Sequence, residues 1–211
     1  MPDAAAACLA KTLHKADITL KGVNGIREAS VHFAAEWSNL TGARVEIAMQ
    51  QGIHELRRVE APDPGEGEMG SATKVDRVKV EGFLAGFIAD TEPDCSDPAD
   101  KARHIADRFF ATNGLYLWRN GEEQTVSIAA QVRESKNGAS ISLVYTPPEH
   151  RGRGYATRLV AGLSQQILDR GKTMCNLYTD LANPTSNAIY HRIGYRKIAE
   201  NWAHRFEPAQ G

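Results

Sequence analysis

The chain has no apolar run long enough to cross a bilayer, so a membrane-spanning helix is not expected. Its alanine-rich start, MPDAAAACLAK, lacks the basic flank and long apolar stretch of a secretory signal. Cysteine is scarce: Cys8, Cys95 and Cys175 are an odd, scattered set, which argues against a disulfide framework and fits a reducing compartment. A cytoplasmic protein is the expectation. Net charge is also nearly absent, at -1 for 25 basic and 26 acidic residues, so no electrostatic footprint for nucleic acid is expected. None of the seven histidines stands in a His/Cys spacing suited to zinc, and no metal is expected.

What remains is a chain of 211 residues, enough for one well-cored domain and an additional element. The stretch Ala61–Gly70, rich in Pro, Gly and Glu, marks a linker or exposed crossing loop. It divides residues 1–62 from residues 63–211. Before it, Asn24 is placed to cap a helix carrying Ile26, Ala29, Phe33 and Trp37. Arg44–Met49 and Ile53–Val59 alternate like two strands of a hairpin around Gln51-Gly52. So small a segment has too few large apolar side chains to stand alone, and would pack on the rest of the chain or form a homodimer contact.

Beyond the linker, Val75–Ile88 has helical spacing. Asp97-Pro98 opens a second helix, with an N-cap followed by proline at its first position. Three strand-like runs follow, Leu115–Trp118, Thr125–Val132 and Ala139–Tyr145, separated by Asn120-Gly121 and Asn137-Gly138. Asn-Gly favours type I′ turns, which predicts an antiparallel meander. A helix ending at Gly171, a strand over Cys175–Thr179, a helix from Asn183-Pro184 to Gly194 and final strands over Tyr195–Phe206 complete the order.

The most informative stretch is VYTPPEHRGRGYA, Val144–Ala156. Pro147 and Pro148 cannot donate ladder hydrogen bonds, so the strand must stop or splay after Tyr145 and Thr146, leaving backbone groups for a ligand. Then Arg151, Gly152, Arg153, Gly154, Tyr155 and Ala156 open a helix. Glycines let amides crowd round an anion, the helix N-terminus adds unpaired N–H groups, and the arginines add charge. This combination would hold a pyrophosphate without a metal. A Walker loop is excluded by the missing Gly-Lys-Ser/Thr, and a dinucleotide fingerprint by Thr157 at its last glycine.

These residues resemble the GNAT superfamily of N-acetyltransferases. Arg151-x-x-Gly154-x-Ala156 matches the family's signature at a strand-to-helix junction, and Asn183, Tyr190 and Gly194-Tyr195 resemble its second block. The resemblance covers roughly Ser71–Phe206. It implies an α/β fold with a mixed, mainly antiparallel central sheet flanked by helices and splayed between the fourth and fifth core strands. The segment before the linker would be an additional α/β element, the remnant of a second GNAT-like half. The implied activity is transfer of an acetyl group from acetyl-CoA to a primary amine. The backbone of Tyr145 and Thr146 would meet pantetheine, the amides of Arg151 to Ala156 the pyrophosphate, and Asn183, with Ser186 and Asn187 beside it, the pantetheine arm. Tyr190 would protonate the departing thiolate.

The base is less determined. Asp180 is the first choice, with Glu149, His150 and Glu134 as other carboxylate or imidazole candidates. The connection from Asp90 to Asp100 holds five acids and no base, so Asp90, Glu92 and Asp94 are expected to draw a cationic small-molecule acceptor, aminoglycoside-like or polyamine-like. Two rivals stay open: a protein or peptide N-acetyltransferase, and a non-catalytic CoA-binding sensor.

Overall fold

A computed structural model describes residues 3–208. The helices are α1 Asp3–Lys15, α2 Arg27–Thr41, α3 Arg77–Thr91, α4 Pro98–Thr112, α5 Tyr155–Asp169 and α6 Pro184–Arg192. The strands are β1 Gly22–Ile26, β2 Arg44–Leu56, β3 Glu68–Ser71, β4 Leu115–Arg119, β5 Thr125–Glu134, β6 Gly138–Tyr145, β7 Met174–Asp180 and β8 Arg196–Glu207. The fold is mixed α/β, with an open, mainly antiparallel sheet flanked by helices, as the sequence implies. The chain divides into two compact units: Met1–His54 with Tyr178–Asn187 and Lys197–Gly211, and Glu55–Leu177 with Ala188–Arg196.

In the first unit α1 and α2 pack together, and β1 pairs antiparallel with β8, Gly22 facing Arg205 and Ile26 facing Asn201. The small core is aromatic. Phe33 stacks on Trp37 at 6.0 Å and Trp37 on Phe206 at 5.9 Å, with Ala6, Ala10 and Ala34 filling in around them. Three sequence expectations fail here. Helix α1 was not anticipated, because its buried face is Ala6 and Ala10 and shows no pattern of large apolar residues; alanine is nonetheless the strongest helix former. Asn24 does not cap α2: it lies in β1, and its Oδ1 accepts from Asn201 Nδ2 at 2.5 Å. Nor is there a hairpin at Gln51-Gly52, since β2 runs straight through it. Gly52 serves close approach instead of turning, because a Cβ there would stand 2.7 Å from the His54 ring and 3.1 Å from Leu181.

The second unit holds the order β7-β6-β5-β4-β3. Strand β4 shows why the sheet is covered on both faces. Tyr116 and Trp118 enter one core with Leu159, Leu163 and Ile167 of α5, while Leu115 and Leu117 enter another with Val80, Leu84, Ile88, Ala102 and Ala106 of α3 and α4. The β4-β5-β6 meander forms as expected, but neither Asn-Gly makes a two-residue turn. Asn120 instead folds its Oδ1 back onto the amides of Glu122 and Gln124, at 3.1 and 2.9 Å, in a longer loop. Gly138 begins β6, where a Cβ would stand 2.7 Å from the Met174 carbonyl oxygen of the neighbouring strand. That neighbour, β7, runs parallel to β6, Gly138 to Ile141 facing Met174 to Leu177.

Asp97 caps α4 as expected, its carboxylate accepting from the Asp100 amide at 2.9 Å. The stretch taken as a linker ends in β3, and its Glu66 carbonyl accepts from the Trp118 indole at 3.2 Å. The approach to α3 is fixed by a capping box. Asp76 accepts from the Thr73 amide at 2.8 Å, from the Thr73 hydroxyl at 2.9 Å and from Arg119 at 2.8 Å. Burial pushes this carboxyl up, but the bonds from Thr73 and Arg119 outweigh it and leave it below its ordinary value. A carboxyl lowered on folding stabilises above the unfolded value, and that contribution is lost as pH falls through the folded one. Asp76→Asn is expected to cost about 1–2 kcal/mol at neutral pH and nothing once the wild-type carboxyl is protonated. Urea unfolding of both proteins between pH 7 and pH 2 checks this.

Candidate active site

The strand that leads into the phosphate loop is bulged. Ile128 of β5 faces Tyr145 and Ala130 faces Ser142, so β6 carries one residue more than its partner over this interval. Leu143 absorbs it at φ 52, in the left-handed region that a bulky residue adopts only at a cost of about 1–3 kcal/mol. The bulge breaks the regular ladder two residues before the strand ends. The sequence gives no signal for it, since nothing in the side chain of Leu143 favours positive φ.

The strand end itself is pinned. Ser127 donates to the Tyr145 carbonyl at 3.0 Å and accepts from the Thr146 hydroxyl at 2.9 Å. The Thr146 carbonyl accepts from Arg151 Nε at 2.9 Å. Thr146 stands beyond the end of β6, so its carbonyl keeps a second lone pair for a ligand. Arg151 also sits over the Tyr145 ring at 5.7 Å and pairs with Asp90 at 2.6 Å. Burial and the charge of Asp90 push the Tyr145 phenol up.

Gly152 and Gly154 take φ 78 and 76, which explains the two glycines of the motif. Gly154 is the N-cap of α5, and Tyr155 and Ala156 form its first turn. The first amides of a helix have no intrahelical partner, which is the arrangement that binds anions. The Arg153 carbonyl accepts from Arg158 Nη1 at 2.9 Å. Below the loop lies a cavity of about 390 Å³, lined by Ala61, Pro62, Asp63, Arg153, Gly154, Thr157, Arg158 and Arg192. Arg158 and Arg192 were not anticipated. They stand outside the motif, and only the fold brings them to it.

Tyr190 is buried, 7 % exposed, in the core of the second unit. Its ring meets Tyr195 edge-on at 6.0 Å. Tyr195 is wholly enclosed. Ser164 donates to the Val160 carbonyl at 2.7 Å, so the 2.9 Å contact between the two hydroxyls is a bond donated by Tyr195. Burial first, with the neighbouring Cys175, holds this phenol well above its ordinary value. Cys175 is itself pushed up to about 11 by burial.

In the first unit Asn183 caps α6, its Oδ1 accepting from the Ser186 amide at 3.0 Å. That leaves its Nδ2 as the group a ligand could use. Asn187 donates to the Asp180 carbonyl at 3.2 Å, and its buried Oδ1 has no partner. Asp180 is exposed, holds the Ala182 amide at 2.8 Å, and borders a cavity of about 300 Å³ with Ile47, Met49 and Gln50. Of the other candidate bases, Glu134 is held ionised, its carboxyl lowered by Lys172 at 2.7 Å. It also lies six residues along β5 from Ile128, the partner of Tyr145, or roughly 20 Å away. Glu149 is exposed, and His150 has a buried Nδ1 without a partner.

The acidic connection is less negative than its sequence suggests. Asp90 pairs with Arg151, Glu92 with Lys101, and Asp100 with Arg103 at 2.9 Å, while Asp97 is committed to its cap. Arg151 comes from a distant point in the chain, while Lys101 and Arg103 follow the segment directly and cancel charge that a count over residues 90–100 leaves out. Among the described residues no cluster of His, Cys, Asp and Glu is set to hold a metal ion, and no helix is long and apolar enough to cross a membrane.

The family model described as FR47-like protein matches residues 119–203, from the end of β4 to β8. No curated protein matches the chain. Solved structures do. A GNAT-family acetyltransferase from Colwellia psychrerythraea aligns with a TM-score of 0.67 at 11 % identity, over 97 % of this chain and 71 % of that one. A GCN5-related N-acetyltransferase from Kribbella flavida aligns at 0.65 and 20 % identity, over 98 % and 77 %. Another from Sphaerobacter thermophilus aligns at 0.64 and 14 % identity, over 92 % and 63 %. The chain has the fold of these acetyltransferases, and in fold and in the sequence around its phosphate loop it resembles the GNAT superfamily.

Proposed function

We propose that the protein is an acetyl-CoA-dependent N-acetyltransferase that acts on a primary amine by direct attack. The observation that carries this reading is the bulged strand end running into a loop whose two glycines, both at left-handed φ, lead directly into the first turn of α5. The pyrophosphate of acetyl-CoA rests on the amides of Arg151 to Ala156. Its pantetheine continues the backbone pairing of β6 at Tyr145 and Thr146. Asn183, Ser186 and Asn187 are assigned to the pantetheine arm, with the Asn183 Nδ2 and Asn187 Oδ1 as the groups still able to bond it.

The chemistry requires a neutral amine, a stabilised oxyanion and a protonated leaving group. The amine nitrogen attacks the thioester carbonyl carbon, and a backbone N–H at the end of β6 supports the oxyanion. The C–S bond then breaks, the thiolate takes its proton from Tyr190, and the surplus proton on the acylated nitrogen passes through water to the tyrosinate, which restores the phenol. Asp180 draws the incoming ammonium and water carries its proton away. The acceptor class is a small cationic amine. Asp90 and Glu92 are paired with Arg151 and Lys101, so the attraction is weaker than the sequence suggests, and Asp94 is the acid of this set with no cation partner among the described residues.

The test is thiol release from acetyl-CoA with a panel of polyamines, aminoglycosides and lysine peptides. Release that depends on both substrates, fastest with the small amines, is the expected result. Faster turnover of peptides would move the acceptor to proteins. Binding of acetyl-CoA with no turnover on any amine would make the chain a sensor.

A further inference from the structure

The cavity of about 300 Å³ beside Asp180 lies wholly within the first unit, where β2 runs alongside the turn from β7 into α6. The Leu181 amide donates to the Gln50 carbonyl at 3.0 Å and ties strand and turn together. Ile47 and Met49 of β2, with Ala48 and Ala182, make most of the wall apolar. Ile47 is 53 % exposed and Met49 39 %, and neither belongs to a buried core. Large apolar side chains left open and gathered at a concavity suit an apolar ligand.

The one ionisable group in the wall is Asp180. Its Oδ1 accepts from the Ala182 amide at 2.8 Å, and among the described residues no cation pairs with it. A carboxylate has about four acceptor positions, so this one keeps capacity for an ammonium. The Asp180 carbonyl accepts from the Asn183 amide at 3.1 Å and from Asn187 Nδ2 at 3.2 Å. Asp180 thus joins the cavity to the residues assigned to the pantetheine arm. A ligand that matches both features of the wall carries one positive charge and an apolar body. At roughly 30 Å³ per water-sized group, the volume takes about ten non-hydrogen atoms. A second ammonium would lie against Ile47, Met49 and the alanines with no carboxylate of its own, and an unpaired charge is costly to take out of water.

We propose that this cavity binds the acceptor, and that the acceptor is a monoamine bearing an apolar chain or ring, taken in preference to polyamines and aminoglycosides. The inference rests on the acetyl-CoA reading above and narrows its acceptor class.

The test measures thiol release from acetyl-CoA by the full chain with propylamine, butylamine, hexylamine, 1,6-diaminohexane, an aminoglycoside and a lysine peptide. Wild type is compared with Ile47→Thr and Ile47→Glu. Ile47 is more than half exposed and outside the buried cores, so both variants will fold. In the wild type kcat/KM should rise about three- to fourfold per added methylene, and hexylamine should exceed 1,6-diaminohexane by about tenfold or more. Ile47→Thr should flatten the chain-length series. Ile47→Glu, which supplies a second carboxylate, should turn the preference toward the diamine. In the wild type, preference for the diamine, the aminoglycoside or the peptide would overturn the inference and leave the acetyl-CoA reading standing. A chain-length series unaltered in Ile47→Thr would do the same. A wild type that sediments as a dimer beside a monomeric Ile47→Glu would give the apolar wall to a second copy of the chain and overturn it too. No thiol release with any amine would overturn the acetyl-CoA reading and this inference with it.

Discussion

Replacing Gly154 with valine will leave a folded protein that has lost most of its affinity for acetyl-CoA. Gly154 sits at φ 76 as the N-cap of α5, a conformation that a β-branched residue reaches only under strain. Its Cβ would also lie 3.1 Å from Arg158 Nη1, a contact tight enough that the guanidinium must shift. The backbone can keep the strain, at roughly 2 kcal/mol, or rotate the peptide and turn an amide away from the anion. Either way the loop is no longer organised for a pyrophosphate. Charge-assisted bonds of about 1.5–3 kcal/mol each then disappear, and the Kd should rise about a hundredfold. Gly152→Val is a useful companion. Gly152 has φ 78 but no atom within 4 Å of its Cβ, so it reports backbone strain alone and should weaken binding less. Titration with acetyl-CoA beside thermal unfolding checks both. A Tm lowered by about 4–8 °C with an unchanged Kd would mean that the glycines serve the fold and not the phosphate.

The contrast between the two glycines and Leu143 shows where sequence legibility ends. A glycine announces positive φ because its missing Cβ makes that conformation cheap, so the loop at residues 151–156 could be recognised before its geometry was known. Leu143 adopts the same region because the register of β5 and β6 forces it to, and register is a property of two strands. The helices α3 to α6 and the meander were legible for a similar reason, since periodicity and caps are local. Gly52 misled because a glycine also serves close approach, and the side chains that crowd it, His54 and Leu181, come partly from a distant point in the chain. The acids at residues 90–100 misled in the same way. Their partners Arg151 and Lys101 lie outside the segment, and charge counted along the chain does not reveal charge cancelled across it. Arg158 and Arg192 were invisible as site residues because they share a cavity and not a motif.

Tyr190→Phe should produce the largest change in turnover with the smallest change in structure. The substitution deletes one hydroxyl and keeps the ring that packs edge-on against Tyr195 at 6.0 Å. Stability should therefore change by no more than about 1 kcal/mol. If Tyr190 protonates the departing thiolate, kcat should fall about 10²- to 10⁴-fold, since that is what a positioned general acid supplies. The Kd for acetyl-CoA should stay close to the wild-type value, because the pyrophosphate is held elsewhere. Tyr195 cannot take over. Its proton is donated to Ser164, whose own proton goes to the Val160 carbonyl, and enclosure in the core holds its phenol well above the ordinary value. The matched variant Tyr195→Phe leaves Ser164 without that donor, and should cost about 1 kcal/mol of stability with little effect on kcat. The pair separates a catalytic phenol from a structural one in the same core. Equal losses in both variants would point to packing, and an unchanged kcat in Tyr190→Phe would remove Tyr190 as the acid. The expected outcome, loss of turnover in one and loss of stability in the other, would assign the proton to the tyrosine on α6.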